Sequence, residues 1–200
     1  SGLKQPMLVM VDFTIEAPEA MAELSAAYAM TWIDHHDTSV KACQQNKFFT
    51  PCQTRVSDNT WSGCELTWQE FFPDINMPTV VHFLGRYDVW DHKEPNVVSF
   101  QYGLRRYNLK PWDQIWQFLF DSSQGWAQYC HEGEAVLDYV RSANAKAAKC
   151  TAFDFEDHEW HFCAGNAVMA NTDTLKSMFE DKHHAAMTFY RLQDGRWKYT

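Results

Sequence analysis

A chain of 200 residues with 46% apolar side chains can build one large domain or a domain and a half, and its formal net charge of −9 argues against the generic basic face that tracks nucleic-acid phosphates. No apolar run approaches the ~18 residues a membrane span needs. Six cysteines at 43, 52, 64, 130, 150 and 163 never fall in C-x-x-C spacing, which excludes zinc-ribbon and dithiol motifs and fits mostly buried thiols in a cytoplasmic protein.

In chain order, Pro6 to Val11 (PMLVMV) is a continuous apolar run with β-branched members, the pattern of a buried parallel strand, and it ends at Asp12. The following stretch IEAPEAMAELSAAYA reads as a helix: Pro18 suits its first turn, and Glu16 and Glu19 suit its positive end. MTWID reads as a second strand, completing a βαβ unit. Residues 39–60 read as a short strand or two with loops. Ser62 and Glu65 have capping-box spacing ahead of a helix that stops at Pro73, and Pro78 opens the next helix, PTVVHFLGRYDVWD. The region 93–111, punctuated by Pro95 and Pro111, reads as irregular. Helices are then expected over WDQIWQFLF and over the long GWAQYC…AAK stretch. Beyond Cys150 the texture becomes strand-like, with a turn near Asp157-His158, a short helix capped by Thr172 or Asp173, and a final hairpin turning at Asp194-Gly195. The expected fold class is therefore α/β: a parallel-sheet domain with flanking helices over 1–148, followed by the start of a smaller α+β domain over 149–200.

Parallel strands of one open sheet point the same way, and ligands bind beyond their carboxyl ends. Asp12 ends one strand and Asp34-His35-His36 ends the next, so an acid and an acid–imidazole cluster should converge on one rim. Carboxylate with imidazole suits manganese, zinc or iron. Other features weigh less. HEWH (His158–His161) misses the helical H-E-x-x-H spacing, and His183-His184 is expected to face solvent. Tryptophans 61, 68, 90, 112, 116 and 126 recur at helical spacing and are expected to pack in the core.

The ordered set Asp12, Asp34-His35-His36 and Asp88 (in GRYDVWDH), with GCELTWQEFFPD between them, resembles the DHH phosphoesterase family in an oligoribonuclease-like branch. The resemblance implies a metal-dependent phosphoesterase acting on short oligonucleotides or a related phosphodiester, with manganese as cofactor. It implies that Asp12, His35 and Asp88 ligate metal, with Asp91 as the substitute for Asp88. It implies that Asp34 orients His35 or a neighbouring backbone group while His36 faces the scissile phosphate; Arg86, Arg105 and Arg106 are the arginines that could meet phosphate, with plain surface arginine as the commoner reading. Two metals held by such residues would acidify a shared water and neutralise phosphate charge.

The family also carries a His-x-Asp-x-Asp motif on a preceding strand and a Gly-Gly-Gly-His stretch in its C-terminal domain, and neither is in this sequence. The expectation is a chain cut at both ends relative to the family, holding one ion weakly and catalysing poorly. The alternative is a non-catalytic nucleotide-binding or regulatory protein on the same scaffold, and a plain interaction module is a third reading. Edge strands lacking neighbours make a homodimer a further expectation.

Overall fold

The computed structural model describes residues 6–38, 41, 53–56, 60–167 and 172–199. They form an α/β chain with seven helices, one parallel sheet and one sheet of mixed strand orientation, divided into compact units at 1–133 and 134–200.

In the first unit, strand β1 (Met7–Val11) runs into helix α1 (Pro18–Ala27) and on to β2 (Ala29–Asp34), which also pairs in parallel with β3 (Gln53–Val56). Pro18 occupies the first turn of α1, where a missing N–H costs no intrahelical bond. Register aligns Met7 with Ala29 and Val11 with Ile33, and Asp12 N–H continues the ladder to Ile33 C=O at 2.9 Å. Asp12 and the residues after Asp34 therefore leave the same end of the sheet. Met21, Met30 and Trp32 bury themselves between α1 and the sheet, and the Trp32 indole donates to Phe13 C=O.

The larger core is helical. Helix α2 (Gly63–Phe71) begins with the expected capping box: Glu65 N–H donates to Ser62 Oγ, and Ser62 N–H donates back to Glu65 Oε2. Helices α3 (Thr79–Asp88), α4 (Pro95–Arg105) and α5 (Ile115–Asp121) and the start of α6 (Ala127–Thr151) enclose Val80, Phe83, Val97, Phe100, Leu119 and Tyr129. Helix α4 corrects the irregular reading of 93–111. Pro95 starts that helix at its first position rather than breaking it, and Val97, Phe100 and Leu104 follow at helical spacing. The expectation of core tryptophans holds for only part of the set. Trp68, Trp116 and Trp126 pack against the core, whereas Trp61, Trp90 and Trp112 are 39%, 60% and 80% exposed.

The second unit holds a four-stranded sheet in the order β4 (Ala152–Asp157), β5 (Trp160–Asn166), β6 (Ala185–Arg191), β7 (Trp197–Tyr199). Outer pairs are antiparallel and the central pair is parallel. The β4–β5 turn places His158 at φ 54°, and Gly195 at φ 88° closes the expected β6–β7 hairpin. Ala148 from the end of α6 meets Cys163 and Met178 on one sheet face, so the division between units falls inside α6, upstream of the 148/149 boundary read from sequence. The short helix α7 (Thr172–Lys176) is present, while the side chains of its expected cap, Thr172 or Asp173, lie outside the described residues. His183 departs from the solvent-facing expectation. It is buried, accepts the Glu180 N–H at Nδ1, and so presents Nε2–H to Asp154 at 3.0 Å. Of the thiols, Cys130 and Cys163 are buried and Cys64 and Cys150 exposed, none of these four in a disulfide, and Cys43 and Cys52 lie outside the described residues. No described helix is long and apolar enough to cross a membrane.

Candidate metal centre

The rim where β1 and β2 end brings the sequence's acid and imidazole groups together. His35 Nε2 lies 3.1 Å from Asp12 Oδ1 and 3.1 Å from Asp88 Oδ2, the latter delivered by the last residue of α3. Asp12, His35 and His36 form a group able to hold a metal ion, their ligand atoms all within 4.8 Å of one another, and Asp88 joins it through His35. Between the two acids of YDVWD, Asp88 is the one that meets His35; Asp91 turns instead toward Arg86 and Lys93.

The donor set fits a divalent cation on two grounds. First, His35 is buried, and neither of its ring nitrogens makes a hydrogen bond although two carboxylates stand beside Nε2. Buried polar groups are almost always partnered, so the orphan asks for a ligand. Second, ligand atoms bound at ~2.1 Å and at right angles lie about 3 Å apart, which matches the spacings around Nε2.

Asp34 is fully buried and works on the chain rather than on the opening of the site. Its Oδ1 accepts both the His35 and His36 backbone N–H groups and lies 2.7 Å from His36 Nδ1, while Oδ2 accepts the Thr14 hydroxyl. Burial alone would raise the Asp34 pKa, but the hydrogen bonds from His36 N–H, Thr14, the His36 ring and His35 N–H together hold it below its ordinary value. His36 shifts upward, chiefly through its side-chain bond to Asp34, against partial burial and with the charges of Asp34, Asp12 and Asp88 adding. Asp88 is pushed up by burial first; His35 pulls it down and the Asp12 charge adds to the rise.

The signs set a pH window. A lowered carboxyl contributes stability above its ordinary 3.8, lost as pH falls through its folded value. A raised imidazole contributes below its ordinary 6.5, lost as pH rises through its folded value. Metal-free protein should therefore gain most from the Asp34–His36 pair between these limits. Urea unfolding in chelator across pH 3 to 9 should show both limbs, and His36→Gln should flatten the neutral one.

Three supporting residues carry no signal in the sequence of a role at the site. Thr14, which donates to Asp34, belongs to no motif. Gly63 lets the start of α2 press on Asp12, for a Cβ there would sit 2.8 Å from Asp12 Cβ and 2.9 Å from its Oδ1. Glu65, fully buried, announces itself in the sequence only as a cap. Its carboxylate also receives the Arg86 guanidinium, whose Nε donates to Oε1 at 3.1 Å while Nη2 reaches Thr60 C=O. Arg86, expected at phosphate, is thus engaged in bracing α3 to α2. Arg105 stacks over the Tyr87 and Tyr102 rings, and Arg106 pairs with Glu132 at 2.7 Å.

No family model and no solved structure matches the chain. A curated protein, the uncharacterized protein R106 of Acanthamoeba polyphaga mimivirus, is 22% identical over 134 residues, covering 64% of this chain and 31% of the viral protein. The chain thus spans about a third of that relative's length.

Proposed function

We propose that this chain carries a divalent-metal site of the DHH phosphoesterase type, preferring manganese, and acts on short oligonucleotides or a related phosphodiester. The observation that carries the reading is the meeting of His35 Nε2 with Asp12 and Asp88 at the carboxyl rim of a parallel sheet. Asp12, His35 and Asp88 would hold the cation, with His36 at its margin. Bound there, a divalent cation supplies an acidified water and neutralises charge on a phosphodiester oxygen. Asp34 fixes the turn after β2 and keeps Nδ1–H of His36 directed at itself. That leaves the far edge of a half-exposed, cation-prone ring to donate to an anionic oxygen. One ion's worth of ligands is assembled among the described residues, which favours slow hydrolysis over the rate of a two-ion clamp.

The test is thermal denaturation of chelator-treated protein with added manganese, run beside hydrolysis of bis(4-nitrophenyl) phosphate and a 5′-phosphorylated dinucleotide. Manganese should raise the melting temperature by mass action, both esters should be cleaved, and His35→Ala should lose both responses. An unchanged melting temperature would sink the metal site. A dinucleotide that binds and stays intact would leave the non-catalytic nucleotide-binding alternative.

A further inference from the structure

The four strands of the second unit carry two unlike faces. Ala148, Cys163 and Met178 cover one. Alternation along the strands puts Phe153, Phe155 and Asp157 of β4, Trp160 and Phe162 of β5, Phe189 and Arg191 of β6, and Trp197 and Tyr199 of β7 on the other. The rings there form a continuous chain: Phe162 stacks on Phe155 at 5.0 Å, Phe155 meets Phe153 at 6.2 Å, Phe153 meets Phe189 at 6.1 Å, and Phe189 meets Trp197 at 5.9 Å. The Phe153–Phe189 step crosses β5 because Ala164 lies between them, fully buried beneath the rings. Yet Phe153, Phe155, Trp160, Trp197 and Tyr199 remain between 36% and 62% exposed.

We propose that this face joins two copies of the chain, sheet against sheet. Area is the first argument. Five half-exposed aromatics present about 500 Å² of ring surface. A stable interface needs about 800 Å² per partner, and a polar rim makes up the difference. Two sheets packed face to face at a modest angle interdigitate such side chains.

Charge is the second argument. Asp157 ends β4 beside Trp160, and Arg191 ends β6 beside Trp197, so the two stand on one face at opposite ends of the sheet. A two-fold axis crossing the strands sets each Asp157 over the Arg191 of the other copy, the self-complementarity an isologous dimer requires. Among the described residues, Asp157 meets the exposed His158 at 3.8 Å, and the Arg191 Nε donates to Gly195 C=O while the rest of its fork makes no ion pair. A single-stranded nucleic acid is the other occupant such rings suit, but its backbone needs lysines and arginines along the groove. Among the described strand residues on this face the charges are Asp157 and Arg191, one of each sign, so a phosphate backbone finds no basic track there.

Sedimentation equilibrium of the chain from about 5 to 200 μM tests the proposal. Wild type should approach twice the chain mass. Phe155→Asp should weaken association at least tenfold while the manganese response and far-UV dichroism stay unchanged. Asp157→Arg and Arg191→Asp, both on exposed sites with no core role, should each weaken it, and the double exchange should restore it. A monomeric wild type at 200 μM, or a Phe155→Asp protein that stays dimeric, overturns the inference. Failure of the double exchange overturns the two-fold arrangement. A monomer whose tryptophan fluorescence is quenched by oligothymidylate makes the face a nucleic-acid platform instead.

Discussion

Asp88→Asn should stabilise the chain in chelator and at the same time abolish its stabilisation by manganese. The two effects have opposite signs because Asp88 serves the fold badly when no cation is present. Burial pushes its carboxyl above the ordinary range, and the neighbouring Asp12 charge adds to that, with His35 only partly offsetting both. An acid whose folded pKa is raised opposes folding once pH exceeds its ordinary value, so ionised Asp88 is a cost at neutral pH that asparagine removes. The side chain is about half exposed and solvent screens it, which holds the gain to about 1 kcal/mol or less. With manganese at a hundredfold excess over its dissociation constant, wild type gains about 2.7 kcal/mol, and the variant should lose most of it. Urea denaturation with chelator and with manganese measures both. A variant less stable than wild type in chelator would mean that His35 is an imidazolium bridging two carboxylates, a structural pair rather than a ligand set.

Gly133→Ala should destabilise the first unit by about 3 kcal/mol or more. A Cβ built there falls 1.7 Å from Ser99 C=O and 2.7 Å from Gly103 N, and one built at Gly103 falls 1.9 Å from Tyr129 C=O. These neighbours are backbone atoms of α4 and α6, with no rotamer to swing aside. The helices must separate, and Val97, Phe100 and Tyr129 lose packing with them. Alanine's higher helix propensity returns only about 1 kcal/mol, too little to offset the clash. The midpoint of urea denaturation followed by far-UV dichroism gives the answer, and a midpoint equal to or above wild type would refute the close crossing.

The residues of the rim differ in how openly the sequence announces them. Asp12 and Asp34-His35-His36 were legible because a strand's apolar run stops abruptly at a charged residue, and two such runs around one helix fix which end they share. Asp88 was not legible in that way. It sits at the end of a helix from a different layer, and only the resemblance to a known phosphoesterase pattern pointed to it. The site's supports were invisible for a physical reason: Gly63 matters through its closeness to Asp12, and Glu65 through burial against Arg86 far along the chain. Local signals fared better where the backbone itself was constrained, as at the Ser62–Glu65 capping box and the Asp194-Gly195 turn. Pro95 misled because proline both ends and begins helices, and what followed it decided the matter. Tryptophan spacing misled because a helical period says which residues share a face, not whether that face is covered.

Asp12 carries its backbone at φ 54°, in the left-handed region that most side chains resist. A saturation library at this codon would therefore pass two sieves at once. Glycine and asparagine satisfy the torsion and fail the ligation; glutamate keeps an anionic oxygen and fails the torsion. Ranking survivors by folding and by cation uptake separates the two constraints, and aspartate alone should clear both.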